Sequence, residues 1–327
     1  MNAIIRYLTN FFSPSNPSDN QQPAGSIIAD KNFKNALIRS GIIDINDKTI
    51  SVERVEKVTQ LNVADQDIRS LNGIEAFVNL QELDCSKNQL TTLNVNTLTA
   101  LTTLACNTNK LSRLDLSSNA LLEKLNCDEN ELTTLEVSSL AALKELRCGS
   151  NALQTLDVYN NTELVVLHCY ENQLQTIEIS NNAAITILWC DENQLQTLDT
   201  NNNPALIELE CFHNQLTSLD LSKNTALEII NCSENQLHSL DISKNISLEN
   251  LNCRDNLLSS LDTTLNKKLD SLYCDSNELI ALDVSKNTAL QLLTCTNNKL
   301  QTIFVSTLSQ PKEEWVKDES TAYDVLK

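Results

Sequence analysis

Eleven cysteines, three histidines and a long column of carboxylates are the residues of this 327-residue sequence with chemistry to offer. The cysteines (Cys85, Cys106, Cys127, Cys148, Cys169, Cys190, Cys211, Cys232, Cys253, Cys274 and Cys295) stand 21 residues apart without a slip. An asparagine follows each of them three residues later, from Asn88 to Asn298. Disulfides do not suit such a row. Equivalent Cβ atoms one parallel rung apart lie about 4.8 Å from each other, beyond the usual disulfide separation of about 3.8 Å, and an odd count leaves one thiol over. Zinc needs ligands around a point, and a straight row offers neighbours on two sides only. No catalytic site needs eleven equivalent thiols. The row therefore reads as small buried hydrophobes, in keeping with a reducing compartment.

The other candidate groups also fail to assemble into a reaction. His168, His213 and His238 stand in no nucleophile–base–orienter arrangement, and no phosphate loop or metal motif is present. Asp115, Glu136, Asp157, Glu178, Asp199, Asp220, Asp241, Asp262 and Asp283 occupy one equivalent position in nine consecutive units. Acids paired everywhere are no sign of hydrolysis. The ladder reads as a solvated face whose side chains bond to the Ser or Asn that follows, with weak cation binding or a docked basic partner as alternatives. A Thr/Ser row from Thr134 to Ser260 is bounded by Arg113 and Ala281 and has long charged or Gln side chains beside it, which leaves it unsuited to order water as an ice-binding face does.

What must position these residues is a coil that returns every 21 residues, since a fixed period in this range marks a solenoid whose units bury their apolar sides by stacking. Each unit reads LxxLxCxxNxL followed by xxLDVSxNxA, as in Leu164, Leu167, Cys169, Asn172, Leu174, Ile177 and Ile179. Aromatics make up 4% of the chain, so the core is aliphatic. Four glycines and five prolines leave the turns to Asn, Asp, Ser and Thr. The net charge of −19 disfavours nucleic acid and anionic membrane as partners. No stretch is long enough for membrane insertion, and no signal-peptide core is seen. A cytoplasmic protein is expected, unless a signal has been removed. The predicted divisions are a flexible leader (1–26), a helical N-terminal cap (27–60) whose first helix is capped by Asp30 and stops near Gly41, an atypical first repeat (61–79), eleven regular repeats (80–307) and a C-terminal cap (308–327).

These motifs resemble the bacterial leucine-rich repeat family, with LxxLxCxxNxL as its highly conserved segment. The second half, LxxLDVSxN, imitates the first, which resembles the nested-repeat class called IRREKO. The stretch from Ile28 to Leu80 looks like the N-terminal cap of Bacteroidetes-type relatives. The resemblance implies a mainly β, right-handed leucine-rich repeat solenoid of short parallel strands, with a small helical cap and a role in protein binding. It also suggests a calcium-like loop at Asp44, Asn46 and Asp47, but Lys48, Thr49 and Val55 replace the residues that loop requires.

With alternate strand residues pointing inward, three outward positions per first strand remain free. Early rungs carry small or polar residues there. The middle rungs carry Val166, His168 and Tyr170, then Ile187, Trp189 and Asp191, then Glu208, Glu210 and Phe212, with Ile229 beyond. Nothing in the repeat requires aromatics at these places, and large aromatics on a polar surface mark interface anchors. The predicted function is non-enzymatic recognition of a protein or peptide without a cofactor. Tyr170, Trp189 and Phe212 serve as anchors, Val166, Ile187 and Ile229 as floor, and His168, Asp191, Glu208 and Glu210 as polar selectors. Scattered aromatics or a homodimer contact are the plainer readings. A glycan- or cation-binding surface protein and a structural protein without a partner are the competing classes.

Overall fold

The computed structural model describes residues 28–47, 50 and 52–325. The predicted leader and residues 48, 49 and 51 lie outside this set. Helices α1 (Lys31–Arg39) and α2 (Val52–Val55) precede β1 (Gln60–Asn62). Short strands then recur: β2 (Glu82–Asp84), β3 (Thr103–Ala105), β4 (Lys124–Asn126), β5 (Glu145–Arg147), β6 (Val166–His168), β7 (Ile187–Trp189), β8 (Glu208–Glu210), β9 (Ile229–Asn231), β10 (Asn250–Asn252), β11 (Ser271–Tyr273), β12 (Leu282–Asp283), β13 (Leu292–Thr294), β14 (Thr302–Val305) and β15 (Ala322–Val325). Twelve of them form one parallel sheet in the order β1 to β11 and then β13, while β12, β14 and β15 form a second. The register repeats the sequence period, with Leu167 beside Leu188 and Leu188 beside Leu209. This is the predicted parallel-strand solenoid with a small helical cap.

The core is a set of columns. Leu83, Cys85, Leu90, Val95 and Leu101, with their equivalents, are almost wholly buried. Each larger side chain contributes about 1.5–3 kcal/mol by leaving water. All eleven cysteines are buried and free. Burial pushes the thiols far up, Cys106 and Cys232 to about 12, so they stay protonated and act as packing groups.

The first asparagine column ties rung to rung. The Asn172 amide donates to the carbonyls of Cys148, Cys169 and Tyr170 at 3.0–3.2 Å, and its Oδ1 accepts the Leu153 N–H at 2.9 Å. Spacing alone does not say whether this amide serves the following unit or the preceding one. The structure points it to the preceding one, because the turn after the cysteine folds back over carbonyls already laid down. One residue earlier, every rung places a non-glycine residue in the left-handed region, from Lys87 (φ 54°) through Glu171 (φ 49°) to Asn297 (φ 55°). This conformation lets Glu171 donate its N–H to Asp191 O at 3.0 Å and continues the ladder beyond the strand.

Both ends are covered. Asp30 caps α1 by accepting from the Asn32 and Phe33 amides, and its second oxygen takes the Arg69 and Ser70 amides of the first coil. Partial burial pushes this carboxyl up, but the four donors outweigh it and hold it below its usual range. Phe33 and Leu37 seal the first rung, and Gly41 (φ +69°) ends the helix. At the other end Trp315 is buried and donates Nε1–H to Gln291 O at 3.0 Å. Gln310 donates to Val284 O at 2.8 Å, and β15 extends the small sheet.

Candidate functional site: the face of the middle rungs

Strands β5 to β9 place the predicted residues on one face, each rung aligned on the next by the ladder. The structure brings the aromatic members together. The His168 and Trp189 rings stack with centroids 4.0 Å apart and planes 7° apart. Tyr170 leans on both, at 6.4 Å from His168 and 6.3 Å from Trp189. Such contacts add about 0.5–1.5 kcal/mol per pair beyond the area buried. Trp189 Nε1 donates to Glu208 Oε1 at 2.8 Å, which fixes the indole plane across to the next rung.

Two predicted selectors do not lie in the open. His168 is 3% exposed beneath the stacked Trp189 ring, and Asp191 is 7% exposed at the position after the cysteine, where Ser86, Asp128 and Ser233 are buried as well. Burial lowers the His168 pKa to about 4, with the nearby Arg147 guanidinium adding to it. The ring is therefore neutral at pH 7 and acts as a platform for Trp189. Val166, Ile187, Trp189, Tyr170, Glu208, Glu210, Phe212 and Ile229 are all half-buried, neither free nor sealed. Among the described residues no ring pair includes Phe212, so the stacked cluster ends at Trp189 and Phe212 stands beside it. Tyr273 lies three rungs further along.

Sequence reasoning missed the residues beneath the cluster. Gly149 is the sole glycine between Leu80 and Leu300. A Cβ there would sit 2.4 Å from Tyr170 Cε1, so the missing side chain is the space in which the Tyr170 ring lies. Gly149 N–H donates to Asp128 Oδ1 at 2.6 Å. Burial nevertheless raises the Asp128 pKa to about 6. Arg147 is clamped by Glu145 at 2.6 Å and leans on His168 Nδ1 at 3.4 Å. The signal in the sequence was a lone glycine one residue after a cysteine, one rung before a tyrosine at the equivalent place.

The acids at the far side of Trp189 behave differently from those of the ladder. Burial first, and then the charges of Glu210, Glu192 and Glu171, raise the Asp191 pKa to about 7. Burial, and then Glu208, raise that of Glu210 to about 7 despite the neighbouring Asn231 amide. In the exposed ladder Asp115, Asp220 and Asp241 each accept the backbone N–H two residues on, at 2.9–3.0 Å. That bond, with help from the serine hydroxyl, holds them below the usual carboxylate range. The ladder is thus a column of turn-forming side chains. Among the described residues no group of three or more His, Cys, Asp or Glu is placed to hold a metal ion. Asp44 and Asp47 of the suggested calcium loop are instead paired with Arg54 at 2.8 and 3.2 Å. No helix among the described residues is long and apolar enough to cross a membrane.

Leucine columns, a parallel ladder with one strand per 21 residues and an asparagine at each turn define a leucine-rich repeat solenoid. The chain matches no protein-family model and no curated protein. Among solved structures it is similar to the functional domain of InlJ from Listeria monocytogenes, a domain described as including a cysteine ladder. The identity is 32% and the TM-score 0.80, over 90% of this chain and 68% of that one. The chain belongs to this bacterial leucine-rich repeat family. An internalin, InlF of Listeria monocytogenes, shares 20% identity (TM-score 0.68, 92% of this chain and 96% of that one). YopM from Yersinia enterocolitica shares 22% (TM-score 0.63, 83% and 66%). These two speak for the fold alone.

Proposed function

We propose that this chain is a non-enzymatic scaffold that binds a protein or peptide through the sheet face of β6 to β9. The observation that carries this reading is the stacked His168–Trp189 pair with Tyr170 leaning against it. It is a preassembled aromatic platform on a face whose earlier rungs carry small or polar side chains. The rings are held by neighbours from two rungs and by Glu208, so little side-chain freedom is lost when a partner docks. Val166, Ile187 and Ile229 supply apolar floor around the rings. Phe212 and the half-buried acids beside it supply selectivity.

The test compares wild type with Trp189→Ala in a pull-down from the native lysate, with circular dichroism to verify the fold. The expected outcome is a partner captured by wild type and lost from the variant, at about 2 kcal/mol or more of binding energy. Equal capture by the two proteins would remove this face from consideration.

A further inference from the structure

We infer that the corner of this face bounded by Trp189, Asp191, Glu208, Glu210 and Phe212 takes a cationic side chain, the guanidinium or ammonium of an arginine or lysine in a basic segment of the partner. The inference rests on the binding face proposed above and names the chemistry that face recognises.

Its first support is Asp191. The residue is 93% buried, being 7% exposed. Among the described residues its carboxylate takes no hydrogen bond from another residue and no ion pair, only a contact with its own amide. Glu210 lies beside it, and neither has a cation. A buried charge without a partner is costly, and the group instead shifts its pKa upward, to about 7 for both acids. An incoming cation would supply what the fold withholds.

The second support is independent of Asp191. From Cys148 to Ser222 the chain carries ten carboxylates and no lysine or arginine. Elsewhere the surface acids do find cations one rung away, as Glu123 does in Lys144, Glu234 in Arg254 and Glu278 in Lys299. The nearest cation on this face, Arg147, is two rungs from Asp191 and already held by Glu145. The rungs that carry the aromatic platform are the ones stripped of positive charge.

The third support is the pairing of carboxylates with rings. Trp189 is paired with Glu210 in the register of β7 and β8, and Asp191 and Phe212 follow two residues on, at equivalent places of the two rungs, where the ladder continues from Glu192 N–H to Phe212 O. A guanidinium is planar and offers parallel N–H donors to carboxylates while its face lies against an aromatic ring. An aliphatic side chain would pack on the rings but leave the carboxylates unpaired, and an acidic one would add to their repulsion.

The experiment pans a random linear peptide library against the full chain, with counter-selection on Trp189→Ala. Enriched peptides are then measured by titration against wild type and the double variant Asp191→Asn, Glu210→Gln. The expected result is that enriched peptides share an arginine or lysine. Their affinity should fall about tenfold or more in the double variant, and by a similar factor when that arginine is replaced by citrulline. Enriched peptides without a basic residue, or with unchanged affinity for the double variant, would overturn the cationic inference and leave the binding face standing. No enrichment over the Trp189→Ala control would overturn both. The two substitutions remove buried charge, so the variant is expected to fold at least as well as wild type.

Discussion

The two sides of each coil carry the same spacing of apolar residue, apolar residue and asparagine: Leu167, Cys169 and Asn172 on one, Ile177, Ile179 and Asn182 on the other. They build different structures. The first side forms a sheet of twelve strands. The second forms isolated bridges, as between Asp157 and Glu178, and joins a short sheet only near the C-terminus. On the first side Glu171, in the left-handed region, donates its N–H outward to the next rung. On the second side the Glu178 carboxylate takes the Ser180 N–H at 2.9 Å and closes a local turn, so the ladder stops. The asparagines diverge accordingly. Asn172 uses both ends of its amide, whereas Asn182 donates to Val158 O and Asn161 O while its buried Oδ1 has no partner. A side whose backbone is fully engaged by itself leaves its outward side chains free to vary, and the aromatic patch lies there. A side whose turns are made by the outward carboxylates cannot vary them as freely.

The comparison is sharpest in the asparagines. Asn172→Ala is expected to lower stability by about 1–3 kcal/mol and Asn182→Ala by clearly less, about 1 kcal/mol, because fewer buried groups lose a partner. Urea denaturation of both variants measures the difference. A larger loss at Asn182 would invert the ranking of the two sides.

The acids of the patch come next. Asp191 has its pKa raised from 3.8 to about 7. The folded chain therefore keeps a proton that the unfolded chain releases, and stability associated with this group is lost as pH rises from about 4 through about 7. Asp191→Asn removes that dependence. Screening by the solvent that reaches the site cuts the full linkage value of about 4 kcal/mol, so the variant should be more stable than wild type by about 1–2 kcal/mol at pH 8, and nearly equal to it near pH 4. Glu171, Glu192 and Glu210 around it all act in the same direction. Equal melting curves at pH 8 would mean that Asp191 is not desolvated.

The smallest effect probes the open Oδ1 atoms of the second side. Thr200 and Thr263 stand where other rungs carry Val, Leu or Ile, and their hydroxyls donate to Asn224 Oδ1 at 2.8 Å and Asn287 Oδ1 at 2.7 Å. Thr200→Val should lower stability by about 0.5–1.5 kcal/mol. Val158→Thr, which offers the same donor to Asn182, should be neutral within about 0.5 kcal/mol or stabilising. Thermal melts of the pair decide it, and a marked loss in Val158→Thr would show that Asn182 Oδ1 is already satisfied.

The columns were legible from spacing alone because a coil turns sequence distance into adjacency. Cys169 and Cys190 must be stacked if the period is real, and both are buried. The direction of the Asn172 amide was not legible, since spacing says which rung is near but not which carbonyls remain open when the turn closes. The reason for Thr200 and Thr263 in an apolar column lies in the asparagine of the next rung, whose Oδ1 each hydroxyl reaches, and spacing alone does not show it.

For the candidate face, the letters placed His168, Trp189 and Tyr170 on neighbouring rungs, because strand alternation and a 21-residue return suffice for that. Their degree of burial depended on side-chain packing. Tyr170 lies down over Gly149, His168 disappears beneath Trp189, and Asp191 is left desolvated without a cation. Periodicity assigns a residue to a row and a face. Exposure, ring stacking and proton affinity arise from rotamers and neighbours on adjacent rungs, and those are settled only when the coil is closed and the rows are in contact.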